Sequence, residues 1–151
     1  NVFVKIPITN TKGESSVPLI KKLSTEGIQI NATAILTYKQ VKSVAEALSK
    51  DTQNIISVFA GRLADTGVDP VPLMKQSQAL VNQYPQASLL WASSRELLNV
   101  FQAENLGIDI ITVTNPILEK MKMIGLDPTE LSLDTVKGFH NDVKALGFSI
   151  L

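Results

Sequence analysis

The chain has no cysteine and a single histidine among its 151 residues. The first absence excludes disulfides, thiolate metal sites and a thiol nucleophile, and fits a reducing compartment. Added to the lone histidine, it argues against a protein zinc site. An excess of charge of either sign is also lacking, since 14 Lys and Arg balance 14 Asp and Glu. Nucleic acid and anionic membrane are therefore not expected as partners, because both call for a basic field. No apolar run exceeds strand length, so no membrane span is expected, and the first residues do not read as a signal peptide. Cytoplasmic is the simplest location. Neither Gly-x-Gly-x-x-Gly nor a P-loop follows any apolar run, which weighs against a nucleotide fold.

What is present suits one packed domain spanning residues 1–151: 44% of residues are hydrophobic, with seven prolines and eight glycines. The chain opens on Asn1-Val2-Phe3-Val4-Lys5-Ile6-Pro7, which reads as a buried β-strand carrying an ammonium near its end. Val2, Val4 and Ile6 fall on one face, Phe3 and Lys5 on the other, and Pro7 is expected to stop the strand by removing a ladder donor. Opening inside a strand without an initiator methionine also leads to the expectation that an N-terminal part is missing.

Further strands are predicted at residues 28–34, 55–60, 88–93 and 108–113, each followed by helical spacing. Thr37 and Gln40 occupy the positions of a capping box. Pro18 and Pro70 with Pro72 mark helix starts, Asn115-Pro116 caps a helix running through Met123, and a final helix is predicted over 131–145. Leu63 to Asp69 reads as loop, and Arg95 is placed at the start of a helix. Mostly apolar strands alternating with helices predict a parallel α/β sheet, either a β/α barrel or an open doubly wound sheet. Ligands bind such sheets at the carboxyl ends of the strands, where Lys5, Thr33, Ser57, Ser93 and Thr112 are all expected.

A lysine facing the interior of such a sheet is desolvated, which frees its amine to attack carbonyls and form a Schiff base. Asn31 and Thr33, at i and i+2, favour a site over two unrelated interior polar groups. Arg62 and Arg95 each follow a strand end, where a guanidinium can hold a phosphate bidentately. Asp65 is expected to orient Arg62. His140 reads as a surface or packing residue, and Trp91 and Phe59 serve equally as core fillers or pocket walls.

Val4-Lys5-Ile6-Pro7, Asn31-Ala32-Thr33, Ser57-Val58-Phe59-Ala60-Gly61-Arg62 and Ala92-Ser93-Ser94-Arg95 resemble the transaldolase family in order and spacing. The resemblance implies a TIM-type (β/α)8 barrel, of which this chain supplies about the last five β/α units plus a C-terminal helix. It implies an enzyme of the pentose phosphate pathway that moves a dihydroxyacetone unit between sugar phosphates without metal or organic cofactor. The donor would be sedoheptulose 7-phosphate or fructose 6-phosphate. Lys5 would form the Schiff base and Thr33 would hold a catalytic water. Asn31 and Ser57 would bind the three-carbon unit, and Arg62, Ser93 and Arg95 the phosphate. Phe59 stands where the similar fructose 6-phosphate aldolases carry a tyrosine, and points to transfer rather than simple cleavage. The chain departs from the family in lacking three leading units and the two carboxylates they carry. The expected alternatives are a catalytically silent half-barrel that binds sugar phosphates or another chain, or a fructose 6-phosphate aldolase-like enzyme, and a homo-oligomer or pairing with a missing N-terminal segment is expected as the assembly.

Overall fold

The computed structural model describes residues 2–147 of a chain that divides into two compact units, Asn1–Leu118 and Glu119–Leu151. The first unit alternates strands β1 (Val4–Pro7), β2 (Ile30–Ile35), β3 (Asn54–Val58), β4 (Ala87–Trp91) and β5 (Ile110–Ile111) with helices. These are α1 (Val17–Thr25), α2 (Tyr38–Ala47), the short α3 (Ala60–Ala64), α4 (Val71–Val81) and α5 (Leu98–Asn105), with α6 (Asn115–Glu119) at the unit's boundary. All neighbouring strands are parallel, and their spatial order is β1-β2-β3-β4-β5. A doubly wound sheet reverses its strand order at a switch point, whereas here each strand adds to the same side of its predecessor. This is the winding of a barrel wall. The fold is α/β, a five-strand parallel sheet consistent with part of a TIM-type barrel.

Register explains which side chains meet the helices. Ile6, Ala32, Ile56 and Leu89 form one cross-strand row. Val58 and Trp91 extend the same face, and all six are buried in one core with Ile20 of α1, Val41 and Val44 of α2 and Met74 of α4. Trp91 is thus a core residue of the helix-covered face. The alternate row is Lys5, Asn31, Ile55 and Ser88, followed by Ser57, Leu90 and Ile110, and it faces away from that core. At the opposite strand ends Asn54, 1% exposed, accepts from Ile30 N at 2.9 Å and donates to the Thr52 carbonyl at 2.5 Å, tying β2 to the entry of β3.

The local signals explain most element starts. Thr37 and Gln40 form the reciprocal capping box, Thr37 Oγ1 accepting from Gln40 N at 3.2 Å and Gln40 Oε1 from Thr37 N at 3.1 Å. Several boundaries differ from the sequence reading, each for a visible reason. β1 is not buried, with Val4 44% exposed, because it is an outer strand of the sheet with β2 on one side only. Pro7 lies inside the ladder, opposite Thr33, where an outer strand tolerates a missing donor. The backbone groups that face β2 are those of the alternate residues, Val4 N bonding Gln29 O at 2.8 Å and Ile8 N bonding Thr33 O at 2.9 Å. Asn1, where the first strand was expected to begin, lies outside the described residues.

Alternation along β2 breaks at Ala34, whose φ of 60° accompanies a one-residue register shift against β3. This β-bulge returns Ile35, not Ala34, to the helix-facing core. β3 ends at Val58, and the predicted loop after it begins as the helical turn α3. β4 ends at Trp91, and α5 begins only at Leu98, so Arg95 lies in the connection rather than in the first helical turn. β5 is two residues long.

The second unit contains a 3-10 turn at Lys120–Met123 and helix α7 (Pro128–Ala145). Asp127 starts α7 three residues earlier than expected by accepting from Thr129 N at 2.8 Å and Glu130 N at 3.2 Å. These two amide hydrogen bonds, Thr129's first, hold its carboxyl below the ordinary value of 3.8. His140 is exposed on this helix. Among the described residues no helix is long and apolar enough to cross a membrane, and no group of three His, Asp or Glu residues could hold a metal ion.

Candidate active site

Four of the residues singled out in the sequence lie on the sheet face turned away from the helix-packed core. Lys5 is in register with Asn31 on the neighbouring strand. Ser57 on the next strand donates its hydroxyl proton to Asn31 Oδ1 at 2.7 Å. Thr33 lies two residues beyond Asn31, just before the bulge, so it shares Asn31's side of the alternation. Ser57 and Thr33 are buried, Asn31 is half-buried, and Lys5 is exposed. The hydroxyl oxygen of Thr33 is buried with no hydrogen-bond partner among the described residues. A buried hydroxyl in that condition carries an unmet demand for a polar neighbour, which a bound water or ligand hydroxyl satisfies. The expected desolvation of Lys5 is not supplied by the described residues, since only β2 flanks its strand.

Phe59, Arg62, Ser93 and Arg95 form a second group, built from the segments that follow β3 and β4. Phe59 is the residue before α3, and the Arg62 guanidinium lies 5.9 Å from the centre of its ring, within cation–π range. Gly61 is what lets α3 approach the next connection. A Cβ on it would lie 1.5 Å from the Ser93 carbonyl oxygen and 3.2 Å from Arg95 Cγ. Ser93 has φ of 65°, and with Ala34 it is one of two non-glycine residues in the left-handed region among those described. Ala34 lies within β2, next to Thr33, and Ser93 lies two residues beyond β4; backbone strain of this kind clusters at functional sites. Ser94 pins the connection further by donating to the Thr112 carbonyl at 2.7 Å.

Arg95 pairs with Asp65 through Nη2 and Oδ2. The sequence reading gave Asp65 to Arg62 instead. Arg62 is turned onto Phe59, while Asp65, at the end of α3, faces the connection that Gly61 allows so close. Both partners of the Asp65–Arg95 pair are about half exposed, so it orients the guanidinium more than it stabilises the fold.

A family model described as transaldolase/fructose-6-phosphate aldolase matches residues 1–150. The chain belongs to the transaldolase/fructose-6-phosphate aldolase family. Over 151 residues it is 31% identical to a probable transaldolase of Nitrosopumilus maritimus, covering 95% of this chain and 64% of that protein. It is 35% identical over 123 residues to a probable transaldolase of Caldicellulosiruptor saccharolyticus, covering 80% of this chain and 53% of the relative. A probable transaldolase of Streptococcus equi subsp. zooepidemicus shares 37% over 122 residues, with 80% and 53% coverage. The chain thus spans about half to two thirds of the length of these relatives.

Within this transaldolase/aldolase fold, the sequence missed residues that act on others. Asn99 was absorbed into an apolar helix pattern, yet it is 8% exposed and accepts from two amides of the Arg95 segment. Its signal was an amide side chain four residues after an arginine, which is too common to stand out. Ser88, half-buried in the same cross-strand row as Asn31, was also passed over. Chemically, the arrangement sets an amine beside an amide–hydroxyl pair, with two guanidinium groups on the segments that follow β3 and β4. That suits a carbonyl compound bearing hydroxyls at one end and an anionic group at the other.

Proposed function

We propose that this chain carries the Schiff-base centre of a transaldolase. The Lys5 amine attacks the C2 carbonyl of a ketose phosphate, sedoheptulose 7-phosphate or fructose 6-phosphate, and water leaves as the imine forms. Cleavage of the C3–C4 bond releases an aldose phosphate and leaves its electron pair on the bound dihydroxyacetone unit as an enamine. That carbon then attacks the aldehyde of an acceptor aldose phosphate, and hydrolysis of the new imine returns the amine and a new ketose phosphate. Asn31 and Ser57 hold the hydroxyls of the three-carbon unit, and Thr33 holds the water that relays protons. Arg62, Ser93 and Arg95 bind the phosphate. Phe59 leaves no phenol beside the imine, which favours transfer over release of free dihydroxyacetone. On this reading the protein serves the pentose phosphate pathway.

The observation that carries the reading is the hydrogen bond from Ser57 to Asn31, in register with Lys5 and on the face turned away from the helix-packed core. Borohydride reduction in the presence of fructose 6-phosphate tests it. A dihydroxyacetone-sized mass increase on this chain, lost in Lys5→Ala, is the expected result; a full-size adduct in Lys5→Ala would remove the assignment. Product analysis with and without an acceptor aldose separates transfer from aldol cleavage.

A second reading rests on the exposure of Lys5 and on the row it belongs to, which holds no aspartate or glutamate. General acid–base help is typically worth about 100- to 10,000-fold, so an amine without a nearby carboxylate forms imines slowly. On this reading the 151-residue chain binds sugar phosphates but turns them over only when paired with further β/α units or a second copy. Sugar binding with no adduct at any time of incubation is the result that favours it.

A further inference from the structure

Arg95 reaches its site from an irregular stretch between β4 and α5, yet a phosphate clamp requires a fixed guanidinium. The connection has two stops on its incoming side: Gly61 N bonds the Ala92 carbonyl at 3.4 Å, and the Ser94 hydroxyl bonds the Thr112 carbonyl. Beyond Ser94, among the described residues, one side chain is hydrogen-bonded to the backbone of the segment. Asn99 Oδ1 accepts from Arg95 N at 2.8 Å and from Glu96 N at 3.2 Å, while Asn99 N donates to the Glu96 carbonyl at 3.2 Å. Asn99 Nδ2 donates to Gln102 Oε1 at 2.9 Å, which fixes the orientation of the carboxamide and keeps its oxygen toward the two amides. Asn99 is 8% exposed, so this ring of hydrogen bonds is shielded from competing water.

We propose that Asn99 is the positioning residue of the phosphate site: it fixes the main chain at residues 95–96, and Asp65 fixes the far end of the same side chain, so that Arg95 is presented to an anion in one orientation. The inference rests on the reading of Arg95 as a phosphate ligand. Asn99 itself touches no substrate. An arginine that keeps its charge but loses this support still attracts anions, but it must be ordered at the moment of binding, and affinity falls by that cost.

The test titrates the full chain with fructose 6-phosphate and, separately, with fructose, following amide chemical shifts, and measures hydrogen exchange at the amides of Arg95 and Glu96. Asn99→Ala suits it because alanine favours helix, so α5 is retained. This variant is expected to bind fructose 6-phosphate about five- to tenfold more weakly, the loss of roughly one hydrogen bond, with fructose binding unchanged and both amides exchanging faster. Asn99→Asp keeps an acceptor oxygen for the two amides and is expected to restore slow exchange at Arg95 and Glu96. An Asn99→Ala chain that melts earlier yet keeps the unaltered ratio of fructose 6-phosphate to fructose affinity would show a purely structural role and overturn the proposal. A parent chain with no preference for the phosphorylated sugar, unchanged in Arg95→Ala, would instead overturn the phosphate reading of Arg95, and the inference with it. The two failures are distinct because the second appears without any substitution at Asn99.

Discussion

At Gly61 an added methyl group has nowhere to go, because the atom it meets is a backbone carbonyl and not the tip of a flexible side chain. Gly61→Ala is expected to destabilise the fold by about 1–3 kcal/mol or to push the Ser93 connection away from α3. Urea denaturation reads the first effect, and weakened binding of fructose 6-phosphate reads the second. Arg95→Ala is expected to weaken binding of phosphorylated sugars selectively, leaving borohydride trapping at Lys5 possible at high substrate concentration. Equal losses for phosphorylated and unphosphorylated donors would count against its role. These residues differ in how legible they were. That Asn31 and Thr33 share one side of their strand follows from strand parity, which a sequence displays directly, whereas the register of Asn31 opposite Lys5 is set by strand pairing. That Asp65 serves Arg95 and not Arg62 depends on how closely α3 approaches a connection 30 residues away. No local pattern encodes that distance.

Elements were legible where short-range chemistry decides them. The Thr37–Gln40 box sits where the sequence placed it, and Thr37→Ala is expected to cost about 1 kcal/mol, measured as a shift in urea midpoint. Ends of strands were less legible, because tertiary pairing decides how far a ladder runs. The bulge at Ala34 and the two-residue β5 are visible only once the partner strand is in place. At α7 the Asp127 cap gives a pH dependence with a definite sign. Its carboxyl is held below the ordinary 3.8 by hydrogen bonds from Thr129 and Glu130, so the contribution to helix stability is present above that value. It is lost as pH falls through the folded-state value. Titration of the Thr129 amide shift should therefore report a midpoint below 3.8, with fraying of the first turn of α7 on the acid side. Asp127→Ala should fray the same turn at neutral pH.

At the scale of the whole molecule, the sequential order of five parallel strands resolves the one choice of architecture that periodicity left open. Alternating strands and helices fit a barrel wall and a doubly wound sheet equally well; only pairing order separates them. The face turned away from the helix-packed core leaves Ile55 and Ile110 half-exposed beside the polar candidates, and among the described residues both outer strands have one unpaired side. Parallel sheets rarely leave such surfaces to water. Sedimentation velocity over a range of concentrations is accordingly expected to show species heavier than the 16.4 kDa chain, and a single 16.4 kDa species at all concentrations would go against association.

The proline on β1 bears on what can lie beside the lysine. Along the outer side of that strand Lys5 still offers an amide proton, but two residues later Pro7 offers none. A backbone laid against this side meets a donor at Lys5 and loses one ladder hydrogen bond at Pro7. Pairing on the outer side of β1 is therefore weakest just past the amine, at the carboxyl end of the strand.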